Sequence, residues 1–177
     1  MHLFWRHGFE GTSISQLTRA MGITPPSLYA AFGDKRRLFL ESVDRYLGGA
    51  DSILQVISDA PSARVAAHEL LIAGAIGNTG ETTPPGCLLA SSIVCSSQAA
   101  AGVREDLANI RRDVELALRT RIERDVEDGT MPANTDSEML AGHAFAVLQG
   151  MSTLAKDGAG RGKLLRIVDS FMAAWPQ

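Results

Sequence analysis

Residues 34–37 read Asp-Lys-Arg-Arg, and they follow a short stretch opened by Thr24-Pro25-Pro26. Three adjacent cations at one turn are suited to meeting an anion. A lysine in the first turn of a helix gains nothing from the helix dipole, which favours acids there. Lys35 is therefore better explained by an external anion such as a phosphate. The charge balance agrees. The whole chain carries a formal charge of −3, yet residues 1–47 hold six Lys/Arg against four Asp/Glu. A mildly basic end on an acidic body fits a local anionic partner rather than general nucleic-acid adhesion.

Other reactive residue types lack the company that chemistry needs. Ser91, Ser92, Ser96 and Ser97 sit in no G-x-S-x-G turn, so no serine nucleophile is expected. His68 and His143 each lie on a largely apolar helical stretch and are expected to be buried and satisfied. No His/Cys/Asp/Glu cluster has ligand spacing, so neither a metal nor a cofactor is expected. Cys87 and Cys95 are too few for a disulfide framework and are not C-x-x-C spaced. They are expected to be reduced thiols acting as small apolar residues. No apolar run approaches the ~20 residues that span a bilayer, and no leader pattern opens the chain. The expectation is a soluble cytoplasmic protein that is not an enzyme.

The elements that position these residues are helical nearly throughout. Apolar residues recur at three and four, and alternating runs are absent. Nine helical segments are expected: about 1 to 7, 13 to 21, 25 to 31, 35 to 58, 61 to 78, 87 to 99, 102 to 128, 136 to 156 and 160 to 175. The stretch "GNTGETTPPG" is a loop. Thr24 is a good N-cap, and proline is tolerated in a first helical turn, where its missing N–H would have no intrahelical partner. Pro25 and Pro26 therefore start a helix. Together with "SISQLTRAMGI" before it, the pair has the proportions of a helix-turn-helix. Ile14, Leu17, Ala20, Met21, Ile23, Leu28 and Phe32 are expected on its inner side. Ser27, Tyr29, Ala30 and the proline rings point outward, where a recognition helix meets DNA.

"GFEGTSISQLTRAMGITPPSLYAAFGDKRRLF" resembles the DNA-binding domain of the TetR/AcrR family of transcriptional regulators. The resemblance rests on Gly8-Phe9, Thr12-Ser13, Gly22-Ile23-Thr24, Leu28-Tyr29, Phe32 and Lys35, and covers about 35 residues. It implies an all-α fold with a three-helix helix-turn-helix domain over 1–47 and a helical ligand-binding and dimerisation domain over 48–177. It makes Met1 fall inside the first helix, which is then expected to be shortened. It places Thr12, Tyr29 and Lys35 at phosphate-contacting positions, and Thr24, Pro25, Pro26, Ser27 and Ala30 on the DNA-reading surface. It implies a homodimer through helices near 136–156 and 160–175. The apolar stripes there (Leu148, Met151, Val168 and Phe171 among them) suit that role.

The expected function is ligand-responsive regulation of transcription, chiefly repression relieved by a small molecule. The partners are double-stranded operator DNA and an effector, with no membrane. His68, Cys87, Ser92, Ser96, His143 and Gln149 are the polar residues available to an otherwise apolar pocket. "PPGCLLASS" resembles the start of the sixth helix in one branch of the family, where a cysteine can sense oxidants or electrophiles; Cys87 holds that place. A thiol sensor is thus one alternative. A dimeric helical protein with a degenerate helix-turn-helix is another.

Overall fold

Glycines and capping side chains set the helix boundaries. The protein's structure, a computed structural model, describes residues 1–49, 53–91 and 100–176. Among the described residues there are ten helices and no strand: α1 (His2–His7), α2 (Ile14–Met21), α3 (Pro25–Phe32), α4 (Lys35–Tyr46), α5 (Ile53–Asp59), α6 (Ala63–Gly77), α7 (Leu88–Ser91), α8 (Ala101–Glu127), α9 (Ser137–Lys156) and α10 (Arg161–Ala173). None of these helices is long and apolar enough to cross a membrane.

The chain divides into two compact units. One comprises Met1–Ala50 with Leu88–Ala108; the other comprises Asp51–Cys87 with Asn109–Gln177. The described residues 88–91 and 100–108 thus group with the N-terminal helices, an association that a boundary at 47/48 does not include. Only long-range packing reveals it: Leu88, Leu89, Val103 and Leu107 are buried, and α7 packs on α1 and α4. The heart of this unit is aromatic. Phe4 stacks on Phe9 at 6.5 Å and meets Phe39 edge-on at 5.1 Å, while Trp5 meets Tyr46 at 4.9 Å. Such pairs add about 0.5–1.5 kcal/mol each beyond the area they bury.

In the second unit α6 packs against α5, α9 and α10. Leu71, Leu118, Ile122, Met151, Leu164 and Val168 form its centre, each at most 1 % exposed. A Cβ at Gly74 would overlap Leu148 Cδ1, so the present position of the Leu148 side chain between α6 and α9 uses the space that glycine leaves. A buried ion pair ties α8 to the turn before α6. Arg121 pairs with Asp125 and donates through Nε to the Ala60 carbonyl (3.1 Å) and through Nη2 to that of Pro61 (2.9 Å). Asp125 Oδ2 in turn accepts from the N–H of Ala63, the first residue of α6, at 2.7 Å.

Several expectations change. The helix expected from 35 to 58 stops at Tyr46, because Gly48 (φ 98°) and Gly49 (φ 60°) take the left-handed region. Residues 92–99 of the expected 87–99 helix lie outside the described residues; its start is α7. Ala20, Met21 and Ile23 are exposed rather than inner, since α2 buries only Leu17 and Thr18. Met151, Val168 and Phe171 are buried within the single chain, and Leu148 is half-buried. These four positions serve the chain's own core.

Removing one member of a buried pair strands the other charge, at about 3–5 kcal/mol. Asp125→Ala should lower the urea midpoint by that much stability without changing the m-value. Glu123→Ala, which breaks only an exposed pair with Arg119, should leave the midpoint where it is. Equal midpoints for Asp125→Ala and wild type would show that the pair holds nothing.

Candidate nucleic-acid interface

The hairpin of α2 and α3 is fixed at its ends by short-range bonds. Ser13 and Gln16 make a capping box: the Ser13 N–H donates to Gln16 Oε1 (2.7 Å), and the Gln16 N–H donates to Ser13 Oγ (3.2 Å). Gly22 takes φ 65°, and the Ile23 N–H returns to the Thr18 carbonyl at 3.1 Å, closing α2. Thr24 is extended, as a residue before proline prefers to be. Its Oγ1 accepts from the Ser27 N–H (3.4 Å) and lies 2.9 Å from Ser27 Oγ.

Leu28, fully buried, anchors α3, and Phe32 is half-buried one turn later. Thr24, Pro25, Pro26, Ser27, Ala30 and Ala31 are all exposed, and Tyr29 is 47 % exposed. An eight-residue helix held by two side chains four apart leaves the rest of its circumference open. The structure therefore brings Thr24, Pro25, Pro26, Ser27, Tyr29 and Ala30 together on one element.

The basic run at 35–37 separates into three environments. Asp34 caps α4, its Oδ1 accepting from the Arg37 N–H at 2.8 Å. Lys35 Nζ sits 4.5 Å from the centre of the Phe9 ring, and Phe9 is packed against Phe4 and Phe39. This cation–π contact favours one position of the ammonium by about 0.5–1 kcal/mol. Arg36 clasps Asp106 of α8, donating from Nε and Nη2 to its two carboxylate oxygens at 2.9 and 3.0 Å. Arg37 remains exposed. The sequence alone assigns no such role to Phe9 or Asp106. The Gly8-Phe9 motif signals the first, and nothing local signals the second.

Thr12 corrects an expectation. Its side chain is fully buried, and its hydroxyl donates to the Gly8 carbonyl at 2.7 Å. It ties the α1–α2 connection and does not face a phosphate.

The polar residues expected around a pocket are dispersed. His68 is exposed on α6 rather than buried. His143 is exposed on α9, edge-on to Phe171 at 4.9 Å, and borders an open hollow of about 480 Å³ with Pro132, Met139 and Leu140. Gln149 is half-buried. Cys87 is half-buried, its N–H donating to Ser152 Oγ at 2.8 Å. Burial holds the neighbouring Arg111 guanidinium below its usual range, against an opposing pull from Cys87. Ser92, Ser96 and Cys95 lie outside the described residues.

Comparison with known proteins follows the same division. The family of bacterial regulatory proteins, tetR family, matches residues 1–42, and the tetracyclin repressor-like C-terminal domain matches residues 69–161. The chain is 31 % identical to the HTH-type transcriptional repressor ComR of Escherichia coli (strain K12), over 100 % of this chain and 85 % of that protein. It is 48 % identical over 46 residues to the HTH-type transcriptional repressor BdcR of the same organism, 26 % of this chain and 23 % of that one. A cysteine mutant of the TetR family transcriptional regulator CifR, complexed with 26-bp double-strand operator DNA, superimposes with TM-score 0.90 at 40 % identity. That match covers 99 % of this chain and 92 % of CifR.

Proposed function

The chain belongs to the tetR family of bacterial regulatory proteins and is a helix-turn-helix transcriptional repressor, and we propose that it acts as a homodimer released from its operator by a small molecule. The observation carrying the DNA half of this reading is α3, exposed from Pro25 to Ala31 except at Leu28. CifR, with the same fold, is bound to operator DNA. In this reading α3 enters the major groove, and Lys35, placed by Phe9, meets a backbone phosphate. Two copies would present two such helices to two-fold-related half-sites.

The dimer would form along the outward row of α9. Ala146, Gly150 and Thr153 are exposed and recur at four and three, and their small size permits close approach of a second helix. Charged positions on α10, such as Arg166 and Asp169, flank the exposed small residues Ser170 and Ala173. The effector would be a mainly apolar molecule held in the second unit. It would bind the shape of the dimer that fits DNA less well, shifting the population away from the operator.

Three tests address the parts separately. Lys35→Ala should weaken all duplexes alike and reduce the slope of log affinity against log salt by about one for each subunit's lost contact. Thr12→Val should leave that slope unchanged while lowering stability by about 1 kcal/mol, the net worth of its internal hydrogen bond. An unchanged slope with altered sequence preference in Lys35→Ala would remove Lys35 from the phosphate role. For the dimer, Gly150→Arg should yield a folded monomer by light scattering; a fully dimeric variant would place the interface elsewhere. For the effector, an apolar compound that raises the melting temperature should also release the operator. Release by a mild oxidant in wild type that vanishes in Cys87→Ser would replace this reading with thiol sensing.

A further inference from the structure

The outward surface of α3 is unusually poor in hydrogen-bonding groups for an element that reads DNA. Pro25 and Pro26 have no N–H and no polar side-chain atom. Ala30 and Ala31 present methyl groups, and all four are exposed. The Ser27 N–H already donates to Thr24 Oγ1, and the Ser27 and Thr24 hydroxyls lie 2.9 Å apart, so that one of the two O–H groups is used internally. The exposed residues of α3 include no side-chain amide and no guanidinium. The bidentate pairings that identify guanine or adenine in the major groove require such groups. Tyr29 offers a single hydroxyl, which can give or accept one bond and so separates the bases weakly.

An apolar surface can still discriminate, because one base edge in the major groove is apolar. Thymine carries a C5-methyl group there, and contact with an apolar side chain is its ordinary mode of recognition. Small residues also let the backbone of α3 approach closely enough to cover such a methyl. We infer that α3 selects operator half-sites through the thymine C5-methyl groups that Pro25, Pro26 and Ala30 cover. The inference rests on the operator-binding reading above and names what that same face reads. The prolines add a second effect. They remove two of the N–H groups with which a helix N-terminus would bind an anion, so the start of α3 is poorly equipped to hold a phosphate.

The test uses the full chain and a duplex recovered by selection from a random pool. Each half-site thymine is replaced in turn by deoxyuridine, which removes the methyl and keeps the base pairing. Affinity should fall about fourfold per covered methyl, the worth of burying one methyl-sized group. It should not fall at flanking thymines outside the half-sites. In Pro26→Gly, one of the sensitive thymines should become indifferent to the replacement. Salt-sensitive binding to the selected duplex with no loss at any deoxyuridine would overturn the inference and leave the operator reading standing. Losses spread evenly over half-site and flanking thymines would overturn it too, by assigning the effect to duplex stiffness. Absence of salt-sensitive binding to any duplex would overturn the operator reading, and the inference with it.

Discussion

Helices of six to eight residues are marginal in water, and α1, α2 and α3 are six, eight and eight residues long. Their persistence depends on satisfying helix ends and inner faces from outside the helix. Ser13 and Gln16 cap α2, Thr24 caps α3, and Asp34 caps α4. Leu17 and Leu28 supply buried side chains, and Phe4, Phe9 and Phe39 pack on one another in the same unit. An exposed face on α3 is possible only because the caps, Leu28 and Phe32 suffice to hold it. The same economy places Lys35, whose ammonium rests on a ring that the aromatic cluster immobilises.

The second unit meets a different demand. Apart from the seven-residue α5 its helices are longer, and the difficult place is the turn between α5 and α6, where backbone groups must be satisfied away from water. Arg121 and Asp125 do this together: the guanidinium takes the carbonyls of Ala60 and Pro61, and the carboxylate takes the Ala63 N–H. Neither side chain would be tolerable there alone. Arg36 and Asp106 use the same chemistry at the surface, where water shares the charges and the pair contributes orientation more than stability.

What can be read in the sequence is mostly local. Caps, the glycine after α2 and the paired prolines act within four residues, so the hairpin and its outward residues are legible in the string of residues alone. Gly48-Gly49 is equally local, yet the apolar period on either side of it reads as one continuous helix. Partners distant in sequence are not legible. Lys35, Arg36 and Arg37 look alike in a string, and only the position of α8 sends Arg36 to Asp106. Arg121 and Asp125 read as one more i,i+4 surface pair on a charged helix, because their burial depends on the α5–α6 turn, 61 and 62 residues away. Thr12 shows the reverse: a hydroxyl at a motif position can serve the fold instead of the ligand. His68 and His143 lie on apolar stretches whose outward sides the histidines occupy.

The contact of Gly74 with Leu148 has a consequence for how this chain can diverge. A Cβ at 74 meets the Leu148 Cδ1 methyl where it now lies, so that side chain must take another position, and a shorter residue at 148 opposite glycine leaves a gap between α6 and α9. A change at one position is felt at the other, because the Leu148 methyl must move to admit a side chain at 74, and a larger residue at 74 with a smaller one at 148 keeps the volume. Their substitution effects are therefore not additive. Among descendants of this sequence the two positions should change together, as one inherited unit of shape.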